Sequence, residues 1–235
     1  MENSKVGCLI IHGFGGSIYE VEPLAEYLAK EGFVVSCPQL SGHTGRIQDM
    51  KKATYEDWIS SAEEELLKLK ERADDISIVG FSMGGLIGVN LACKHDIKAL
   101  VTINTPIHYW NLNRVFLNLI EDIKNRKTDN LQRYMRARKN SPVAAMYNFL
   151  LLLNQTKPLL CNVKCNVLLI QAKDDDTVRM KSVDYLYEYL SSENKKIKYY
   201  DKGGHQILRS QSADEVITDV TSFLKSLKSN IEFPD

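Results

Sequence analysis

The chain has 235 residues, 44% of them hydrophobic, and its Lys plus Arg total of 30 equals its Asp plus Glu total. That length supports one substantial core with no need of a second domain. A net charge of zero excludes a surface built for long-range capture of nucleic acid or anionic membrane and is compatible with a small neutral partner.

The opening residues, Met1-Glu2-Asn3-Ser4-Lys5, are polar and run straight into a core-like strand, without the pattern of a secretory leader. No apolar run reaches the length of a membrane span, so a cytoplasmic location without stable membrane insertion is expected. Val6-Gly7-Cys8-Leu9-Ile10-Ile11 is continuously apolar, as a strand buried on both faces of a parallel sheet would be. It leads into the glycine-rich loop His12-Gly13-Phe14-Gly15-Gly16, whose backbone N–H groups can approach a ligand closely. Ser17 and Glu20 read as a capping box for a helix with Val21, Leu24, Ala25 and Leu28 on its apolar face and a stop at Gly32.

Residues 33–37 form the next short strand, closed by Pro38, and 40–45 read as loop. A helix starts at Thr54, with Asp57 as capping partner and Trp58, Ala62, Leu66 and Leu69 as its apolar stripe. After the Asp74-Asp75 turn, Ser77-Ile78-Val79 leads into Gly80-Phe81-Ser82-Met83-Gly84, followed at once by an Ala/Gly/Leu-rich helix ending near Lys94-His95. Residues 97–103 are another strand, closed by Asn104-Thr105-Pro106.

From Ile107 to Leu160 the alternation of strand and helix stops. Three segments of helical spacing, 110–125, 129–138 and 142–153, read as a helical cap inserted into the sheet domain, and their local excess of base reads as a solvated face. The sheet resumes with 166–172, ending in Lys173-Asp174-Asp175-Asp176-Thr177-Val178. A helix bearing Val183, Leu186, Tyr187 and Leu190 follows, then a last strand at 196–200, the loop Gly203-Gly204-His205, and a closing helix from about 213 to 228. The expected architecture is α/β: a mostly parallel sheet of about six strands covered by helices on both faces, with core 1–106, cap 107–160 and core 161–235.

Gly80-Phe81-Ser82-Met83-Gly84 is G-x-S-x-G between strand and helix, a nucleophile elbow that holds Ser82 Oγ at the tip of a strained turn. Parallel α/β sheets gather their chemistry outside the carboxyl ends of the strands, and Gly13-Phe14, Ser82, Asp175 and His205 each follow a strand. A serine hydroxyl needs a base to take its proton, and that base needs a carboxylate to orient it. Among five histidines, His95 reads as a helix-terminus residue, His108 lies at the root of the cap, His12 braces the glycine loop, and His43 is a loop residue near the same rim. His205, flanked by glycines, is the expected base, with Ser82, acid, His205 in the chain order of an elbow hydrolase. The residues alone leave the choice among Asp174, Asp175 and Asp176 open; three consecutive loop carboxylates cannot all turn to one cation. Five cysteines are an odd number, with Cys8, Cys37 and Cys93 inside apolar runs, and Cys161 and Cys165 have no partner pair at zinc spacing, so no metal or other cofactor is expected.

In order and interval these segments resemble the α/β-hydrolase fold, and within it the small bacterial carboxylesterase and monoacylglycerol lipase group. The stretch Pro38-Gln39-Leu40-Ser41-Gly42-His43 is similar to that group's P-x-L-x-G-H-G, departing at Thr44. The resemblance implies a triad of Ser82, Asp175 and His205, the acid chosen by a D-x-x-V pattern, and an oxyanion hole from the backbone N–H groups of Phe14 and Met83. It implies a serine carboxylesterase; the expected substrates are carboxylic esters with short to medium acyl chains, with monoacylglycerols as one candidate, and the expected state is a monomer or weak homodimer. Thioester or amide hydrolysis on the same triad, and a non-catalytic ligand-binding protein of the same fold, are the alternatives. The cap carries more apolar residues than its helices can bury against one another, and Trp110, Phe116, Ile120, Met146 and Phe149 are the candidates to line an acyl pocket.

Overall fold

A computed structural model of the chain describes residues 5–108 and 142–227. Its sheet has six strands: β1 (Val6–Ile11), β2 (Val34–Ser36), β3 (Asp75–Phe81), β4 (Ala99–Ile103), β5 (Asn166–Ala172) and β6 (Lys195–Tyr200). They lie in the order β2-β1-β3-β4-β5-β6, and every neighbouring pair is parallel. All six strands expected from the sequence are present, with the second and fourth shorter than their apolar runs.

The continuous apolar runs follow from burial on both sides. Leu9 and Ile11 of β1 enter one core layer with Ile78, while Cys8 and Ile10 enter the other with Val79, as the two-residue period of a strand requires. The first layer is closed by α3 (Tyr55–Lys70), α4 (Met83–Lys94), α5 (Val143–Thr156) and α6 (Lys181–Tyr189). The second is closed by α1 (Glu22–Lys30) and α7 (Ala213–Ser226). The strand β6 stands at the sheet edge, where its lysines keep the open side polar.

The Thr54 capping box forms in full, with Asp57 N–H donating to Thr54 Oγ1 and Thr54 N–H to Asp57 Oδ2. The one expected at Ser17 does not. Ser17 makes no side-chain cap bond, a single 3-10 turn (Ile18–Glu20) intervenes, and α1 begins at Glu22. The Glu20 carboxylate accepts from the Gly13 amide instead, at 3.0 Å. A short helix, α2 (Ile47–Lys52), occupies a stretch with no helical signal; six residues are too few for a period, and Met50 is its buried anchor.

Of the expected cap, residues 109–141 lie outside the described residues, and with them the helices read at 110–125 and 129–138. The third helix is α5, which rests on α4: Asn90 Nδ2 donates to Thr156 Oγ1 at 2.8 Å, and Phe149, Leu152 and Leu153 join the layer of Leu86 and Ile87. Among the described residues, no helix is long and apolar enough to cross a membrane.

The strand order positions the site. The chain leaves β1 toward β2 on one side and leaves β3 toward β4 on the other, so the crevice between the carboxyl ends of β1 and β3 is a topological switch point.

Candidate active site

Ser82 stands between β3 and α4 with φ 52° and ψ −121°, a left-handed conformation that costs an L-residue about 1–2 kcal/mol. The glycines of the elbow make it possible. A Cβ on Gly80 would stand 2.3 Å from the Gly84 carbonyl oxygen, and one on Gly84 2.2 Å from the Ile11 carbonyl oxygen. Strand and helix therefore approach more closely than any side chain permits, and the Ser82 amide is fastened to the Ile103 carbonyl at 2.8 Å.

The structure brings Ser82, His205 and Asp175 together from three strand ends. His205 Nε2 is 3.0 Å from Ser82 Oγ, and its Nδ1 is 2.9 Å from Asp175 Oδ2. Asp175 is buried, and its other oxygen accepts the Thr177 and Val178 amides at 2.7 and 2.9 Å, which fixes the carboxylate plane. The three neighbouring acids have three separate partners: Asp175 meets His205, Asp174 accepts the Gly204 amide at 2.7 Å, and Asp176 accepts from the Thr177 hydroxyl. Burial works to lower the His205 pKa, but Asp175, with Glu20 and Asp176 behind it, outweighs that and holds the imidazole above its ordinary 6.5.

Phe14 and Met83 follow neighbouring strand ends. Ile11 pairs with Gly80 across β1 and β3, and three residues farther along each chain stand Phe14 and Met83. The two loops also meet at Gly13, where a Cβ would lie 3.2 Å from Ser82 Cβ. The Gly13 carbonyl is occupied on its own side, accepting from His12 Nδ1 at 2.9 Å and from the Gly16 amide at 3.3 Å. Since the Leu40 amide donates to His12 Nε2, the His12 proton is assigned to Nδ1. In a planar trans peptide the Phe14 N–H then points the opposite way. Met83 is the first residue of α4, where an amide has no carbonyl in its own helix. Burial drives the His12 pKa down to about 4, so this brace stays neutral.

The remaining histidines stand elsewhere. His43 is buried with Nδ1 on the Ser41 carbonyl, His95 binds Glu63 at the end of α4, and His108 is exposed. Beside the glycine-rich loop after β1 opens a cleft of about 510 Å³ lined by Gly16, Tyr19, Glu20, His43, Arg46 and Gln206. Phe149 lies with its ring 5.4 Å from that of Phe14, and Met146 packs against the same layer. Trp110, Phe116 and Ile120 lie outside the described residues.

Two residues at the site escape sequence reasoning. Glu20 reads as the helix cap it does not form. Asn104 reads as a strand terminus, yet it is fully buried with φ 48°, donates to the Gly204 and His205 carbonyls, and accepts the Ala172 amide at 2.9 Å. A fully polar residue at the end of an apolar strand is the one sequence signal for it.

Comparison with known proteins follows the same lines. A family model described as serine aminopeptidase, S33, matches residues 2–212. A thermostable monoacylglycerol lipase of Bacillus sp. (strain H-257) is 33% identical over 207 residues, 83% of this chain and 81% of the relative. A carboxylesterase of Bacillus subtilis (strain 168) is 25% identical over 233 residues, 93% and 92% of the two chains. Among solved structures, a metagenome-derived lipolytic enzyme superposes with a TM-score of 0.80 at 21% identity, over 95% of each chain. The monoacylglycerol lipase of Paleococcus ferrophilus does so with a TM-score of 0.70 at 17% identity, over 94% of each; these two likenesses speak to the fold.

Proposed function

The chain belongs to the serine aminopeptidase S33 family, and from that premise we propose that it is a serine carboxylesterase, hydrolysing esters with short to medium acyl chains, monoacylglycerols among them. The single observation that carries the reading is the unbroken line Asp175–His205–Ser82. The names of the two curated relatives, a monoacylglycerol lipase and a carboxylesterase, support an ester as the substrate.

In the proposed reaction Ser82 Oγ attacks the ester carbonyl carbon while His205 Nε2 takes its proton. The carbonyl oxygen becomes an oxyanion between the Phe14 and Met83 N–H groups; loss of one such donor costs about 3–4 kcal/mol of barrier. As the tetrahedral centre collapses, the bond to the leaving oxygen breaks and His205 returns the proton to the alcohol. A water, deprotonated in turn by His205, attacks the acyl-enzyme and releases the acid and Ser82. Asp175 holds the imidazole in the required tautomer and stabilises it when charged. Phe14, Met146 and Phe149, with Trp110, Phe116 and Ile120 from the cap, are proposed to contact the acyl chain.

The family description favours one second reading, cleavage of an amide at a peptide N-terminus by the same residues. The five unpaired cysteines support a reducing, cytoplasmic setting, where the protein is proposed to act as a monomer or weak homodimer. The test is a hydrolysis panel of p-nitrophenyl esters, monoacylglycerols, thioesters and aminoacyl p-nitroanilides, run beside Ser82→Ala. Ester turnover lost in that variant, with the fold intact, is the expected result. Turnover that survives it, or anilides cleaved faster than esters, overturns the reading.

A further inference from the structure

Glu20 is a half-buried carboxylate that the reaction above does not use. Its Oε2 accepts the Gly13 amide at 3.0 Å, one peptide before the Phe14 N–H. Its place is built for it: a Cβ on Gly16 would stand 2.0 Å from Glu20 Oε2, so only glycine leaves room for the carboxylate there. The same oxygen lies 3.2 Å from where a Gly13 Cβ would be, as does Ser82 Cβ. Arg209, which follows the His205 loop, donates to the Tyr19 carbonyl and to Glu22 and lies over the Tyr19 ring. The turn carrying Glu20 is thereby clamped to the loop carrying His205.

The two peptides of the oxyanion loop are thus held at three points. His12 and the Gly16 amide hold the Gly13 carbonyl, and Glu20 holds the Gly13 N–H. Without the last, the peptide before Gly13 is free to turn, and the direction of the Phe14 N–H turns with it. The carboxylate also contributes a second negative charge beside His205, after that of Asp175.

We propose that Glu20 is a positioning residue of the acyl-transfer site: it aims the Phe14 amide at the oxyanion through the Gly13 N–H. A carboxylate that lies, like Ser82 Cβ, 3.2 Å from the position of a Gly13 Cβ also adds its charge beside His205. This rests on the ester-hydrolysis reading above. Facing His205 are Asp175 and Asp176 from the loop after β5, Ser82 from the elbow, the Phe81 ring, and Glu20 from the turn after β1. Facing Glu20 are the Gly13 amide and His205, with His43, Arg46 and Gln206 across the cleft. Arg46 is held by Asp49 and Arg209 by Glu22.

The experiment compares Glu20→Gln and Glu20→Ala with wild type. Glu20→Gln keeps an oxygen for the Gly13 amide and removes the charge. The acid limb of kcat/KM, and the His205 imidazole titration followed by NMR, move to lower pH by about half a unit. Glu20→Ala removes both, and kcat falls about tenfold or more while KM moves by less than about twofold. An unmoved His205 titration in Glu20→Gln overturns the electrostatic half, and a wild-type kcat in folded Glu20→Ala overturns the positioning half. The NMR titration needs no turnover, so it reads Glu20 even if Ser82→Ala shows that the ester-hydrolysis reading fails.

Discussion

Asn104 Nδ2 lies 2.8 Å from the His205 carbonyl oxygen and 3.0 Å from that of Gly204, so one side chain at the end of β4 carries the loop that follows β6. Its own oxygen accepts the Ala172 amide, which ties the loop after β5 into the same knot. Asn104 and Ser82 are the only non-glycine residues at positive φ among the described residues, and both serve the same rim.

Asn104→Ala takes a hydrogen bond from the buried Ala172 amide and from each of the part-buried Gly204 and His205 carbonyls, and puts an alanine at positive φ. It is expected to destabilise the protein by about 2–4 kcal/mol, read from denaturant unfolding. Asn104→Asp keeps an acceptor for Ala172 but turns an oxygen toward the Gly204 and His205 carbonyls. There kcat should fall with little change in KM, because the loop carrying the proposed base is repelled while the substrate surface is untouched.

The elbow allows a contrast between two glycines. A Cβ on Gly84 meets backbone, the Ile11 carbonyl at 2.2 Å, whereas one on Gly204 meets nothing within 4 Å and suffers only from φ 60°. Gly84→Ala should cost more than about 3 kcal/mol or yield no folded protein. Gly204→Ala should cost about 1 kcal/mol. Thermal unfolding of the pair checks the difference.

The proposed base must be neutral to accept a proton, and His205 is held above 6.5, chiefly by Asp175 against the effect of burial. The acid limb of kcat/KM is therefore expected above pH 6.5, and Asp175→Asn should move it down while lowering kcat. His12 works in the opposite sense. Its folded pKa, about 4, lies below the unfolded 6.5, so below pH 6.5 the unfolded chain binds the extra proton. Stability should fall between pH 6.5 and about 4 by up to about 3 kcal/mol, because each tenfold difference in proton affinity between the folded and unfolded chain is worth about 1.4 kcal/mol. His12→Gln should flatten that slope in urea melts taken across the range.

Phe149 is 2% exposed and lies against the Phe14 ring, so shortening it makes room beside the proposed oxyanion loop. Phe149→Leu is expected to raise kcat/KM for octanoate relative to acetate p-nitrophenyl esters, at a stability cost of about 1–2 kcal/mol. An unchanged acyl-length profile would remove Phe149 from the pocket.

The strands, Ser82 and His205 were legible because each has a local signature: an apolar run for a strand buried on both faces, G-x-S-x-G for a turn that only glycines allow, a glycine pair before His205. Asp175 has none that separates it from Asp174 and Asp176, and only the resemblance singled it out. Glu20 and Asn104 were not legible, because what defines each is a hydrogen-bond partner that only the folded loops bring to it. Glu20 has the spacing of a cap from Ser17, and a competing donor, the Gly13 amide, decides its role. Asn104 reaches residues about a hundred positions later, which no local pattern encodes. For Ile47–Lys52 the obstacle was brevity.

The amides of Phe14 and Met83 extend two strands that are bonded in register from Val6 and Asp75 to Ile11 and Gly80. The strand ends that lead to them are therefore held one sheet repeat apart, a ruler common to every protein built this way, and the loop decides only where the Phe14 N–H points. Whatever diversity of substrate this scaffold supports must come from groups standing around that fixed gauge.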